Sequence, residues 1–275
     1  MKNIDLLDNT LVTDYDYYNN VSKKNDEELK ELGFSEEEIK ALRDFDYTEE
    51  LKSRALLDNK TLEFMGYSEA DIIYLRKLLT ENSNEEMFTT FNNGGTDSGG
   101  VFATLRLTTY KISKTNNQVM IGFEWIWDKL PVFYGGREMV AAVWNGTNNS
   151  GQPLNVRIND SNASSYQYIV NQNNLNGPRT TKYTFTVDDY YHAAYSSFHM
   201  GSRVEELIDW AKSGYGRITL NASGTSAIKE VALKLKYGHT RIGIGSPGVS
   251  FAPVSLGISF TANMDDMATV NSIYN

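Results

Sequence analysis

The residues of this chain that could carry acid–base or metal chemistry are few, with three histidines and no cysteine. His192 and His199 are seven residues apart, a spacing that would align them on a helix, and Asp188 and Asp189 lie just before them. The pattern matches no established zinc-ligand spacing such as HExxH. Aromatic packing and ordinary hydrogen bonding are therefore the favoured roles, and no metal site is predicted.

Paired carboxylates could support glycoside hydrolysis. Glu124 and Asp128 flank the Trp125–Trp127 segment, and Asp188-Asp189 ends a predicted strand. Acidic residues at strand ends are usually solvated, and the chain contains no serine-hydrolase, Walker or dinucleotide-binding motif. An enzyme is thus less favoured than a non-enzymatic protein, and a glycan or peptidoglycan hydrolase is kept as an alternative.

Calcium is the ion that the composition suits best, because Asp and Asn oxygens are its usual ligands. Asn155–Asn162 and the pair Asp14 and Asp16 offer such oxygens. Neither segment fits an EF-hand loop. We therefore predict no cofactor, with calcium as the alternative.

Aromatic side chains are the most promising binding groups, since the chain has 17 tyrosines and four tryptophans. Tyrosine and tryptophan on a sheet face or a loop can stack on sugars or anchor a protein partner. Trp125 and Trp127 share a strand face with Phe123 and are predicted to lie in the core. The predicted binding residues are Tyr134, Trp144, Tyr190 and Tyr191.

The segment from Ile242 to Met264 carries no charge. Its apolar residues alternate with Ser, Ala and Gly, as in the membrane hairpin of a β-pore toxin. A pair of core or edge strands is the favoured interpretation, and Pro253 favours an edge. The residues of the membrane-hairpin alternative are Val249, Phe251, Leu256, Ile258 and Phe260.

The elements that must position these residues begin with a repeat whose two copies are 33 residues apart. Leu29, Leu32, Gly33, Phe34, Ser35, Glu36, Ile39, Leu42 and Arg43 recur as Leu62, Met65, Gly66, Tyr67, Ser68, Glu69, Ile72, Leu75 and Arg76. Gly33 can end a helix in the left-handed conformation. Ser35 and Glu38 form a capping box that begins the next helix, and the second copy repeats this with Ser68 and Asp71. Each copy is therefore predicted to be a helix, a glycine stop and a second helix.

From Val101 onward the apolar period changes to two, which predicts strands. The first two alternating runs form a predicted hairpin around Asn116-Asn117. About nine short strands follow one another, interrupted only by a predicted helix over Arg203–Lys212. The predicted fold class is α+β, a small N-terminal α-helical module followed by a mostly antiparallel β-sandwich.

The predicted organisation has four parts. They are a polar, Tyr-rich arm over 1–25, the helical module over 26–80, a Gly- and Asn-rich linker over 81–100, and the β-sandwich domain over 101–275.

Charge and cysteine usage limit the partners and the location. The net charge is −9, and residues 1–80 contribute 11 basic and 19 acidic residues, a net of −8. This balance argues against nucleic acid, whose phosphates require a basic surface. The absence of cysteine excludes disulfides, and the first residues have no apolar signal segment behind them. We expect a mature secreted or cell-surface form, with a cytoplasmic location as the alternative.

Several short segments resemble a family of uncharacterised secreted proteins of Gram-positive bacteria. They are Leu32–Ile39 and Met65–Glu69, the strand pair Phe123–Trp127 and Pro131–Tyr134, and the ending that starts at Tyr237–Thr240. The resemblance implies an extracellular location and a helical segment before a β-rich domain. It implies no catalytic residues, because the family has no assigned reaction.

The sequence thus predicts a non-enzymatic extracellular or cell-surface protein that acts in binding or assembly through its β domain. Its expected partner is a protein or a glycan at a cell surface, or a second copy of itself. The alternatives are a membrane-active toxin, which alone would involve a membrane, and the hydrolase.

Overall fold

The computed structural model describes residues 6–80, 100–134, 136–204, 207–240, 248–252, 255–261 and 264–275. Its helices are α1 (Asp14–Ser22), α2 (Asp26–Glu31), α3 (Glu36–Asp44), α4 (Tyr47–Ala55), α5 (Asn59–Phe64) and α6 (Glu69–Lys77). Its strands are β1 (Leu6–Thr13), β2 (Thr104–Lys114), β3 (Gln118–Trp127), β4 (Arg137–Asn148), β5 (Pro153–Leu154), β6 (Val156–Ile158), β7 (Tyr166–Asn173), β8 (Arg179–Thr184), β9 (Thr186–Asp189), β10 (Ala193–His199), β11 (Gly201–Val204), β12 (Leu207–Ala222), β13 (Ile228–Thr240), β14 (Gly248–Ala252), β15 (Gly257–Thr261) and β16 (Met264–Tyr274). The chain is therefore an α+β protein, as predicted.

The local structure of the repeat is confirmed in both copies. Gly33 and Gly66 have φ values of 87° and 98°, so both end their helices in the left-handed conformation. Ser35 caps α3 and Ser68 caps α6, and each takes part in a reciprocal capping box. These bonds satisfy amide groups at the helix starts that have no partner within the helix.

An arginine in the second helix of each copy makes an equivalent hydrogen bond. Arg43 donates to the carbonyl oxygen of Lys24 at 2.5 Å, and Arg76 donates to that of Leu57 at 3.5 Å. Lys24 and Leu57 are themselves 33 residues apart. In each copy, the arginine of the second helix therefore holds the chain that leads into the first helix.

The two copies differ in what they pack against. Leu29, Phe34 and Ile39 of the first copy form a small apolar cluster with Val21. In the second copy, the corresponding apolar residues belong to the large core that they share with the strands: Leu62, Met65, Tyr67, Ile72 and Leu75. The second copy is therefore the one that joins the helical part to the sheets.

The described strands pair antiparallel in three sheets. The largest has the order β1-β2-β3-β12-β7-β8, with β6 and β11 also paired to β12. The next has the order β16-β13-β4-β10-β9, with β5 paired to β4, and β14 pairs with β15 alone. The predicted hairpin is confirmed as β2 and β3.

Large aromatic residues connect the two main sheets. Trp125 of β3 stacks on Phe198 of β10 with ring centroids 5.0 Å apart. Trp127 donates its indole N–H to the hydroxyl of Tyr237 in β13 at 3.2 Å. Trp125 and Trp127 are completely buried, which confirms the prediction that they belong to the core.

One predicted element differs from the structure, and the predicted linker lies outside the described residues. The predicted helix over Arg203–Lys212 is wrong, because β11 and β12 form a hairpin there. The described part of the predicted arm belongs to the fold, since β1 pairs along β2 and Asp14 is buried. The predicted linker lies outside the described residues except for Gly100. The division into separately folding parts stays a prediction.

Candidate functional site

Two inward-facing glycines of β12 determine which of its side chains face outward. A Cβ atom on Gly214 would lie 2.5 Å from the indole ring of Trp125, and one on Gly216 would lie 2.4 Å from the ring of Phe123. Such distances are too short for any other residue, so the glycines make room for the rings of the neighbouring strand. Because side chains alternate along a strand, the residues next to them face outward.

The outward residues of β12 and its neighbours form an aromatic and cationic surface, which we call the tyrosine face. It consists of Tyr166 and Tyr168 from β7, Lys182 from β8, and Tyr215 and Arg217 from β12. The register places Tyr215 opposite Tyr168 and Arg217 opposite Tyr166. It also places Lys182 opposite Tyr168 from the other side. Three adjacent strands therefore supply one continuous surface.

The rings of this face lie close enough to act together. Tyr168 and Tyr215 have centroids 5.4 Å apart at an interplanar angle of 32°, and Tyr166 meets Tyr168 edge to face at 5.2 Å. Tyr215 is 47% exposed. Gln167 and Ile169, which flank Tyr168 along β7, face inward and are buried. Tyr168 and Tyr215 thus form a tilted aromatic platform that is open to solvent.

The two cations are held beside the platform by the turn that precedes β7. Arg217 donates its Nε–H to the carbonyl oxygen of Ser164 at 3.1 Å and a second N–H to that of Ala163. Lys182 donates to the carbonyl oxygen of Asn162. Both cations also lie against Tyr166, with the Lys182 Nζ 4.4 Å and the Arg217 Cζ 5.2 Å from its ring centroid. Such cation–π contacts stabilise the positions of both groups.

Tyr110 of β2 extends the aromatic surface across β3. Its ring covers Gly122, where an added Cβ atom would lie 2.1 Å from the Tyr110 Cε2. Burial raises the pKa of Tyr110, and the charge of Glu124 raises it further. The hydroxyl therefore stays protonated at neutral pH and can donate a hydrogen bond.

Two of the predicted binding residues are covered by the protein itself. Trp144 is completely buried in β4 and donates its indole N–H to the carbonyl oxygen of Val156 at 2.8 Å. Its prediction as a surface anchor is wrong, because its apolar ring fills the core and its polar atom has an internal partner. Tyr134 is half-buried and packs against the main core.

Tyr190 and Tyr191 are exposed, at 43% and 38%, in the turn after β9. The hydroxyl of Tyr190 donates to Asp160 at 3.2 Å, and Arg157 lies 4.4 Å from its ring centroid. This cluster involves β6 and the turn after β9, and none of its residues belongs to the tyrosine face. Both tyrosines remain accessible to a ligand.

In the described part of the uncharged C-terminal segment, β14 pairs antiparallel with β15. Ile258 is 4% exposed and packs on Ala141, Val143 and Ala193 of the six-stranded sheet. The other described members of the membrane-hairpin alternative are partly buried against the same cluster: Phe251, Leu256 and Phe260. The side chain of Val249 lies outside the described residues. The membrane role stays a prediction.

The groups proposed for acid–base or metal chemistry are not brought together. His192 Nδ1 lies 3.0 Å from the Asp189 carboxylate, but His192 lies in a turn and His199 in β10, so the two histidines do not share a helix face. Glu124 lies in β3, and Asp128 follows its end, where it accepts from the Thr104 N–H at 2.6 Å and from Lys129 at 3.0 Å. In the described part of the chain, no group of three His, Cys, Asp or Glu residues could hold a metal ion.

A buried ionisable pair, unmarked by any sequence motif, lies inside the protein. His239 Nδ1 is 2.9 Å from the Glu138 carboxylate, and both residues are at most 1% exposed. Trp127 and Tyr17 place their rings beside the imidazole. Because the pair has no access to solvent, its position fits a structural role better than a catalytic one.

Comparisons with known proteins identify no family. No protein-family model matches the chain, and no curated protein matches it. A solved structure described by the words "AvmM Catalyzes Macrocyclization in Alchivemycin A Biosynthesis" aligns with a TM-score of 0.25 at 6% identity, over 61% of this chain and 87% of that chain. Similarity at this level carries no argument about fold or function. Within the described residues, no helix has the length and apolar character needed to cross a membrane.

Proposed function

We propose that this protein is a non-enzymatic, secreted or cell-surface protein that binds a glycan through the tyrosine face. In this proposal the two main sheets form a β-sandwich, and the outer surface of the larger sheet carries the site. The observation that supports it most strongly is the open platform of Tyr168 and Tyr215 beside two fixed cations.

The chemistry of the platform suits a sugar chain. The apolar C–H surface of a pyranose ring can stack on an aromatic ring, while hydroxyl and charged groups at the margin bind its hydroxyls. The platform is an open sheet surface, which gives an extended polymer room to pass across β8, β7 and β12. We therefore favour an oligosaccharide or polysaccharide over a small molecule enclosed in a cavity.

Self-assembly through strand edges is less well supported. The described part of the arm, which would have paired with a neighbour, already pairs with β2 of its own chain as β1. The edge strand β8 is polar and carries Arg179 and Lys182. Charged residues on an edge strand oppose pairing with another chain.

The glycan proposal predicts that Tyr168 and Tyr215 carry much of the binding energy. We expect the double substitution Tyr168→Ala with Tyr215→Ala to weaken binding to an immobilised polysaccharide at least about tenfold, or 1.4 kcal/mol, because the stacking surface is lost. Affinity electrophoresis against a panel of polysaccharides would measure this, with circular dichroism as the check on folding.

The matched control is Tyr190→Ala with Tyr191→Ala, which removes two exposed tyrosines elsewhere. We expect this variant to bind as the wild type does. If the control pair loses affinity while the Tyr168 and Tyr215 variant keeps it, the site lies in the turn after β9 and the proposed location is wrong.

A further inference from the structure

We infer that the glycan bound at the tyrosine face is an acidic polysaccharide, whose carboxylates bind Lys182 and Arg217. This inference rests on the proposed function and specifies the chemistry of its ligand. The inference is drawn from the positive charge of the tyrosine face, which is opposite in sign to the net charge of the whole chain.

The tyrosine face is locally basic on an acidic protein. The chain has a net charge of −9. The strand register shows which side chains of β2, β3, β12, β7 and β8 face outward with the tyrosines. These include three cationic residues, Arg106, Lys182 and Arg217, and one acidic residue, Glu124. A local excess of positive charge attracts an anionic ligand even when the whole molecule is acidic.

The two central cations have no carboxylate partner within the described part of the chain. Their hydrogen bonds there go to the carbonyl oxygens of Asn162, Ala163 and Ser164. By contrast, Arg179 on the same strand as Lys182 pairs with Asp209 at 2.7 Å. Carbonyl groups orient a cation without neutralising it, so the countercharge at Lys182 and Arg217 remains to be supplied from outside.

Both cations keep donors for a ligand. Arginine has five N–H donors and the lysine ammonium has three. Two of the Arg217 donors and one of the Lys182 donors are used by the carbonyls, which leaves the others for carboxylate oxygens. Because the turn and the Tyr166 ring already hold both side chains, little side-chain entropy is lost when they bind.

The positions of the cations indicate how a sugar chain would lie. Arg217 lies opposite Tyr166, and Lys182 lies opposite Tyr168 at the end of the platform row. The Lys182 Nζ nevertheless reaches to 4.4 Å from the Tyr166 ring centroid, so both cations meet at Tyr166. A uronic acid residue stacked on the platform, or its neighbour in the polymer, can thus direct its carboxylate towards Tyr166. Neutral sugars would offer these cations hydroxyl groups but no countercharge.

The test compares polygalacturonate with its methyl ester, in which each charged carboxylate is replaced by a neutral ester. We expect the wild-type protein to bind polygalacturonate at least about tenfold more tightly. Lys182→Gln with Arg217→Gln should remove this preference, whereas Tyr168→Ala with Tyr215→Ala should weaken the binding of both polymers. The control Arg179→Gln, on the same strand but facing the other way, should keep the preference.

The outcomes separate this inference from the proposed function. Equal binding of both polymers through Tyr168 and Tyr215 would overturn the acidic ligand and leave glycan binding intact. Absence of binding to any polysaccharide would overturn both. Tighter binding of a poly(glycerol phosphate) than of polygalacturonate would overturn the carboxylate assignment.

Discussion

Replacing Arg54 with methionine is expected to lower the free energy of unfolding by about 2–6 kcal/mol, because two buried carbonyl oxygens lose their donor at about 1–3 kcal/mol each. Arg54 lies in α4 and is 1% exposed. It donates to Glu50 at 3.0 Å, to the Tyr67 hydroxyl at 3.2 Å and to the carbonyl oxygen of Leu130 at 2.7 Å. A further bond, at 2.9 Å, reaches the carbonyl oxygen of Pro131.

These bonds connect three parts of the protein at one buried group. Burial lowers the pKa of Arg54, but Tyr67 and Glu50 more than offset it, so the net pKa is raised and the group remains charged. Methionine would fill a similar volume and leave the carbonyl oxygens of Leu130 and Pro131 without their donor. A buried acceptor that loses its partner carries its full desolvation cost.

Chemical denaturation would measure the effect, with Lys52→Met as the control. Lys52 lies two residues earlier on the same helix and pairs with the exposed Glu49 at 2.7 Å. An exposed pair of this kind contributes about 0–1 kcal/mol. Similar losses for the two variants would mean that Arg54 does not connect the helices to the segment after β3.

The second large effect compares the two glycines of the repeat. Gly33→Ala should cost about 1–2 kcal/mol, the strain of a left-handed conformation on alanine. Gly66→Ala should cost about 1–3 kcal/mol more, because overpacking adds to that strain. A Cβ atom on Gly66 would lie 2.3 Å from the carbonyl oxygen of Asp128, whereas one on Gly33 meets no described atom within 4 Å.

The same denaturation experiment tests this difference, and each variant is the control for the other. The contact of Gly66 with Asp128 is reinforced by the bond from the Leu130 N–H to the carbonyl oxygen of Met65 at 2.8 Å. Equal costs at the two glycines would show that the second copy does not pack closely against the end of β3.

Local sequence signals predicted the helical repeat because its structure is decided locally. Gly33 and Ser35 determine a helix end and a helix start through their own backbone and side-chain bonds. Which copy packs on the sheets was not predictable, since both have the same apolar pattern. The difference arises from the segment around Asp128, far along the chain.

Long-range pairing explains the expectations that were wrong. Val204, Leu207, Ile208 and Ala211 have helical spacing, yet the structure places them in a β-hairpin because β12 pairs with β3, β6 and β7. Tertiary pairing of this kind overrides local spacing. The sequence around Trp144 contains no signal that distinguishes a buried tryptophan from an exposed one.

The tyrosine face was missed because its members come from separate strands. Tyr166 and Tyr168 alternate with buried residues in the structure, but one of these is Gln167, whose polar side chain gives no sequence signal of an inward face. Tyr215 alternates with Gly214 and Gly216, and this pattern becomes informative only when Trp125 and Phe123 are known to occupy the space above the glycines. The pairing register of β7 and β12 brings Tyr168 and Tyr215 together, and this register cannot be read from composition.

The most direct test of the central claim is to map polysaccharide binding by NMR on protein with labelled tyrosine rings. Glycan binding at the tyrosine face predicts that the ring signals of Tyr166, Tyr168 and Tyr215 shift as polygalacturonate oligomers are added, while those of Tyr190 and Tyr191 do not. Shifts confined to Tyr190 and Tyr191, or no shift in any ring at saturating oligomer, would contradict the claim.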